Sequence, residues 1–413
     1  MGGLCLLLPL AAGAGEPEAG WRIGKPIVTY WAGPSMSEAT ARQMAEGGWN
    51  LVWCSESELE TAGRHGLRAM LQDGLLSPRS LDSPETRAKL DALIERVRKH
   101  PACYAYFLTD EPGADAFPGL GRLVAYLRAR DPGRLAYINL FPTYASNSQL
   151  GTQGDPVTAY REHLRLYREQ VKPALVSYDH YHFSTQGDSG QYFLNLAMIR
   201  QASQDAGVPF LNIVQACTWT PSMRIPQGDE LRWLVYTSLA YGAQGISYYV
   251  YCHPDHKGAM ATADGKPTSL YHAAKVLNRE FAAIATELQP LRSLEVFHAG
   301  MKPPGGVLLP EKSPFQLDPP VPLKPYNPPQ PIQGLLLGYF GRAGANPQPG
   351  KPTHVVVVNL DYKHDLTTTL VGQKPLQTFD ATTGQWSADS VARVPLRLPP
   401  GGGKLLRAKS AGQ

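Results

Sequence analysis

The pattern that most constrains this chain is an alternation. From residue 23 to residue 290, short apolar or β-branched runs take turns with longer stretches of helical periodicity, and Gly, Pro, Asp or Ser punctuate the joins. Strands are expected at 26–31, 50–54, 68–72, 104–109, 135–141, 175–181, 210–216 and 245–251. Helices are expected at 37–46, 56–64, 84–99, 119–130, 157–170, 191–205, 229–241 and 269–288. Eight β-then-α units in about 265 residues match the count and length of a (β/α)8 TIM barrel. A doubly wound open sheet is the other way to use such units. It would be favoured by a glycine-rich phosphate loop after the first strand, but that position reads Ala32-Gly33-Pro34-Ser35, with no GxGxxG.

Local signals support individual elements. Ser83-Pro84-Glu85 places a capping serine before a proline in the first helical turn. Leu90, Leu93, Ile94 and Val97 then form an apolar stripe, and Lys99-His100-Pro101 ends it with cations and a stop. Gly207, just before Val208-Pro209, reads as a helix C-cap leading into a strand.

The texture changes after Pro290. Runs at 294–297, 334–339, 354–360, 376–380 and 405–408 are separated by turn residues, and no long helical stripe remains. This reads as a small antiparallel β-sandwich. The stretch 301–352 holds 14 prolines in 52 residues, a density that leaves its core as an extended connective loop, because each proline removes a backbone donor. The expected division is a barrel over 21–291 and a β-sandwich over 292–413, with a proline-rich loop at 301–352. Residues 1–20, an apolar run followed by small residues, read as an export-signal remnant or a disordered start. On that reading the protein is secreted or periplasmic.

Charge narrows the partners. Lys plus Arg is 39 against 35 Asp plus Glu, with no basic run, so binding driven by nucleic-acid phosphates is not expected. No run reaches the ~18–20 apolar residues of a membrane span. Cys54, Cys103, Cys217 and Cys252 lie far apart without CxxC or zinc-type spacing, and they read as small buried hydrophobes. One disulfide among them stays open, as does the oligomeric state. No cofactor and no metal are expected.

In a barrel, chemistry comes from the C-terminal ends of the strands. Those ends carry Trp31, Trp53, Asp73, Asp110 and Glu111, then Asn139 and Tyr144, Asp179 to His182, Gln215, Trp219, Tyr249 and His253. They include carboxylates, tryptophans, tyrosines and histidines, but no Lys or Arg. An anionic substrate would want a cation here. Aromatic faces combined with planar hydrogen-bonding groups suit a carbohydrate, whose rings present C–H faces and hydroxyls. Breaking a glycosidic bond takes one carboxyl to protonate the leaving oxygen and a second to act as nucleophile or base. Glu111, after an apolar strand and before Pro112, is the expected acid. Asp179 is the expected second carboxylate, with Asp110 and then Asp73 as alternatives. Trp31, Trp53, Asn139, Tyr144, His180, Tyr181, Gln215, Trp219 and Tyr249 are the expected substrate contacts.

At these residues the chain resembles the clan A (β/α)8 glycoside hydrolases. It looks most like the divergent barrels, described as β-galactosidases, that carry a C-terminal β-sandwich. The resemblance rests on Tyr106-Phe107-Leu108-Thr109-Asp110-Glu111-Pro112, Tyr137-Ile138-Asn139-Leu140-Phe141-Pro142, Val176-Ser177-Tyr178-Asp179-His180-Tyr181 and Gly245-Ile246-Ser247-Tyr248-Tyr249. It implies that Glu111, closing strand 4, is the acid/base. It also implies a Glu nucleophile at the end of strand 7, where this chain has Gln215. Three repairs follow. Asp179 serves as second carboxylate, as base in an inverting reaction. Or the Asp110-Glu111 pair acts as in the family 20 hexosaminidases, with the substrate's acetamide attacking. Or hydrolysis is lost and carbohydrate binding kept. A metal-dependent hydrolase using His180 and His182 is a further class.

Overall fold

The computed structural model describes residues 20–342 and 350–409. The apolar run at 4–10 and Cys5 lie outside the described residues. Eight parallel strands form one sheet: β1 (Ile27–Trp31), β2 (Leu51–Cys54), β3 (Arg68–Leu71), β4 (Cys103–Asp110), β5 (Leu135–Leu140), β6 (Val176–His180), β7 (Phe210–Gln215) and β8 (Gly245–Tyr249). Each neighbours the strands before and after it in sequence, and β1 pairs with β8. The ring closes at Asn50, just ahead of β2. Its N–H donates to Val28 O at 3.0 Å, and its side-chain oxygen accepts from Val28 N at 3.1 Å. Sequential order around a closing ring is the barrel, and it excludes the doubly wound alternative.

The strand runs are apolar almost without break because both faces are covered. Ile27, Leu51, Met70, Ala105, Leu135, Leu211 and Ile213 fill the barrel interior. Val28, Tyr30, Val52 and Cys54 turn outward into the helix layer. That layer is α1 (Glu38–Glu46), α2 (Leu59–Arg64), α3 (Pro84–Val97), α4 (Phe117–Arg130), α5 (Pro156–Leu166), α6 (Tyr192–Ala206), α7 (Gly228–Tyr241) and α8 (Ser269–Leu288). The cap signals act as read. Ser83 Oγ accepts from Thr86 N at 3.1 Å, and Gly207 ends α6 at φ +67°. The stripe expected to run to residue 170 ends as α-helix at Leu166 and loosens into a wider turn over Tyr167–Val171. The four cysteines among the described residues are all free thiols.

The second domain contains β9 (Arg292–Gly300), β10 (Phe315–Asp318), β11 (Gly334–Gly341), β12 (His354–Asn359), β13 (Leu366–Asp380), β14 (Gln385–Trp386), β15 (Val391–Leu398) and β16 (Gly403–Ala408). These make one antiparallel sheet that curls on itself through the long strand β13. Its first half pairs with β10 and β15, and Leu376–Thr378 then pair with β16. The curl sets two layers face to face around Leu335, Leu337, Val355, Val357, Leu370 and Leu396. The alternate residues Leu336, Phe340, Val356 and Val358 point the other way and join the core of the barrel's helix layer. At Gly338 the sheet touches α7 so closely that a Cβ would stand 2.0 Å from Ala240 O.

The proline-rich stretch is more than a connector. It carries the edge strand β10, and Pro328-Pro329 reach back onto the barrel, where Asp188 N donates to Pro329 O at 3.0 Å. A residue with no N–H of its own still offers its carbonyl, so a proline run suits an edge and a strap.

Candidate active site

The site is assembled around Asn139 in β5. Tyr137 OH lies 2.7 Å from Ser177 Oγ, which in turn donates to Asn139 Oδ1 at 3.0 Å. With its oxygen spent there, the amide must turn its NH2 to the mouth of the barrel. It donates to Asp110 Oδ1 at 3.1 Å and to Asp179 Oδ1 at 3.0 Å. One 2%-exposed amide thus ties the end of β4 to the end of β6.

Glu111 follows Asp110 at φ +42°, in the left-handed region that a residue with a side chain seldom occupies. Its position before Pro112 disfavours it further. The conformation is held by Glu111 N donating to Asn139 O at 2.9 Å. It brings the Glu111 carboxyl to the same cavity as Asp179, whose charge acts on it. Backbone strain of this kind costs about 1–3 kcal/mol and concentrates at functional sites.

Two carboxyls that share a cavity cannot both ionise easily. Burial raises the Glu111 pKa, and the charges of Asp179 and Asp110 raise it further. Burial also raises Asp179, although Asn139's hydrogen bond pulls it down and Asp110 pushes it up. The pair titrates as a unit and keeps one proton well above the ordinary carboxylate range. Asp110, exposed at the mouth, is raised by the surrounding protein and lowered by Asn139.

A cavity of about 440 Å³ opens over the pair. Tyr144, Tyr181 and Trp219 line it beside Glu111 and Asp179, and no Lys or Arg does. Tyr181 packs edge-on against Trp219 at 4.6 Å, and Tyr249 meets both rings at 4.9 Å. Tyr249 OH lies 3.2 Å from His256 Nε2, and His256 stacks on Trp219. Tyr144 is 48% exposed and accepts Tyr181 N at 3.3 Å through its hydroxyl.

Other expected contacts lie elsewhere. Gln215 is fully buried: Oε1 accepts from Phe183 N, and Nε2 donates to Phe183 O and Arg224 O. It clamps two loops and offers nothing to a ligand. His180 is equally buried, with Nδ1 on Asn195 Oδ1 at 2.9 Å and Nε2 on Ser189 Oγ at 3.0 Å, so neither nitrogen is open to a metal. Trp53 Nε1 donates to Tyr30 O, and the ring joins Trp31 and Phe107 in an edge-to-face plug at the top of the barrel interior. Asp73 caps its own turn by accepting from Leu75 N at 2.8 Å. Thr220, Ser222, Met223 and Gln149 line the cavity without having been expected. Thr220, Ser222 and Met223 sit on a loop and Gln149 in the one-turn helix Asn147–Leu150, segments too short to carry a periodic signal. Among the described residues no group of three or more His, Cys, Asp or Glu could hold a metal ion. A larger groove of about 820 Å³ lies at the opposite end of the barrel, between the start of β7 and Ser293 and Phe340, and among the described residues no carboxylate lines it.

No family model and no curated protein matches the chain. Solved structures do. A GH27 β-L-arabinopyranosidase from Geobacillus stearothermophilus is 9% identical, with 94% of this chain and 97% of that one covered and a TM-score of 0.49. A β-galactosidase from the psychrophilic Marinomonas ef1 is 11% identical, over 64% of this chain and 60% of that one, at a TM-score of 0.47. The GH99 endo-α-mannosidase of Bacteroides thetaiotaomicron is 13% identical, over 60% and 78%, at 0.40.

Proposed function

We propose that this protein is a glycoside hydrolase acting on a poly- or oligosaccharide without charged groups at the cleaved bond. The observation that carries the reading is the placement of Glu111 and Asp179 together in an aromatic cavity lined by no Lys or Arg, where burial raises both pKa values and the charge of Asp179 raises that of Glu111 further. A carboxyl that is still protonated near neutral pH is a general acid. Because the charge of Asp179 strengthens the hold of Glu111 on a proton, the two act as one acid. Glu111 delivers its proton to the glycosidic oxygen as that oxygen's bond to the anomeric carbon breaks; water bonds to the carbon in its place, and the water's proton passes back to Glu111, drawn by the negative charge on Asp179. Asp110, exposed and held by Asn139, is then the second carboxylate, set toward the positive charge that develops on the sugar ring. Tyr181, Trp219 and Tyr249 supply the surface on which a ring stacks.

The test is turnover of a panel of neutral glycans and aryl glycosides by the wild-type chain, Glu111→Gln and Asp110→Asn. Loss of the acid should cost about 10²–10⁴-fold on natural linkages and far less on a dinitrophenyl leaving group, which needs no proton. Asp110→Asn should impair both. No turnover on any glycan, with binding that survives both substitutions, would assign the barrel to carbohydrate binding instead.

A further inference from the structure

Two loops build the wall of the cavity that carries Trp219. The first follows β6. The second, at 217–227, follows β7 and presents Thr220, Ser222 and Met223. They are zipped together: Thr185 N donates to Ser222 O at 2.9 Å, Ser184 bridges to Met223, and Gln215 bonds both Phe183 and Arg224. What holds the zipped pair comes from the other domain. Asp188, 4% exposed, accepts Tyr362 OH at 2.8 Å, and its N–H donates to Pro329 O. Gly187 and Gly190 lie so close to Pro329 and Pro328 that an added Cβ would meet them at 2.6 and 2.8 Å.

The same carboxylate faces the second loop. Arg224 lies 3.8 Å from Asp188 and forms a two-pronged pair with Glu230 of α7 at 2.6 and 2.7 Å. His182, stacked on Trp233 of α7, stands 3.5 Å from Asp188. Burial works against the charge on Asp188, but His182, Tyr362 and Arg224 outweigh it and its pKa is lowered. A charged acceptor in a dry interface makes a strong, directional tie.

We propose that the C-terminal β domain is a working part of the site: Tyr362, through Asp188, is a positioning residue that fixes the Trp219 wall of the cavity. The consequence for catalysis rests on the glycosidase reading; the consequence for the wall does not. Tyr362→Phe keeps the ring on Phe183 and Trp233 and removes only the hydroxyl. Hydrogen exchange in the full chain should then quicken about tenfold or more at 181–190 and 218–225, with the amides of β1 to β5 unchanged. On a cleaved glycan, KM should rise about 3–10-fold with kcat within about twofold, since binding geometry is loosened and the acid is untouched. Asp188→Asn, which keeps an acceptor for Tyr362 but removes the charge that faces Arg224, should affect 218–225 more than 181–190. Unchanged exchange at both segments in Tyr362→Phe would overturn the proposal. Exchange quickened across the whole barrel would overturn it too, since it would reduce the latch to a general stabiliser. If no glycan is turned over, the exchange result still decides the positioning role, so the two readings fail separately.

Discussion

Asn139 Nδ2 donates to Asp179 Oδ1 at 3.0 Å, and this bond from β5 to β6 holds Asp179 in the cavity that Glu111, just past β4, also lines. Asn139, on the strand between them, sets the geometry by bonding Asp179 with its NH2 and holding Glu111 N with its carbonyl. The pH behaviour of the protein should follow from this placement.

Activity requires the proton on the pair and the charge on Asp110, so kcat/KM should fall at low pH as Asp110 protonates and, on the alkaline side, only at a pH well above the usual carboxylate range. Asp179→Asn removes the negative charge beside Glu111. The alkaline limb should then move toward acid by about one unit, the effect of ~1.4 kcal/mol of lost repulsion. A limb that stays in place would show that burial alone sets it.

The same groups should weaken the fold as pH rises. Both folded pKa values are raised, so the folded chain binds the proton more tightly than the unfolded one. That contribution is fully present below the unfolded carboxyl values and is lost as pH rises through the folded ones. Glu111→Gln removes the penalty. It should raise Tm at pH 8 by about 2–4 °C, the shift that ~1 kcal/mol brings in a large domain, and leave Tm nearly unchanged at pH 4. Thermal melts at the two pH values read this directly.

Asn139→Ala should be costly in two ways. It leaves a buried carboxyl and Ser177 without their partner, worth about 1–3 kcal/mol in denaturant unfolding. It also frees Asp110 and Asp179 from a common orientation, which should lower kcat about 10²-fold with KM little changed.

Trp219→Ala strips the stacking face from the cavity while leaving the acid intact. Oligosaccharide affinity should drop about fivefold, the equivalent of ~1 kcal/mol for an aromatic face. Titration calorimetry with the Glu111→Gln background, which binds without cleaving, isolates that term.

Gly338→Ala tests the joint between the domains. The new methyl would press on Ala240 O of α7, so the sheet must back away, costing about 1–3 kcal/mol. Leu336 and Val356 would lose contact with the same helix layer. A stability unchanged in urea would mean the joint is slack.

The barrel itself was legible in the chain. Eight apolar runs and eight helical stripes each fell within about four residues of an observed element, because two-sided burial of parallel strands and one-sided burial of helices leave different periods. The strand-end rule also pointed to Asp110, Glu111, Asn139 and Asp179 as a group. The second domain was less legible. Phe315–Asp318 and Val391–Leu398 form strands amid prolines and charges, because an edge or outer strand needs only one apolar face. The curl of β13 has no local signature at all.

By itself, then, the sequence determined which end of which strand carries carboxylates and aromatics, since that depends only on the order of runs along the chain. It did not determine where those side chains point. Gln215 and His180 occupy strand-end positions like those of Asn139 and Asp179, yet they turn into buried hydrogen-bond networks with Phe183, Arg224 and Asn195. Glu111 reaches the cavity of Asp179 through a left-handed backbone turn that its neighbours enforce. Tyr362 meets Asp188 across a domain boundary. Contacts between distant residues depend on strand stagger and loop packing, and these exist only once the ring has closed.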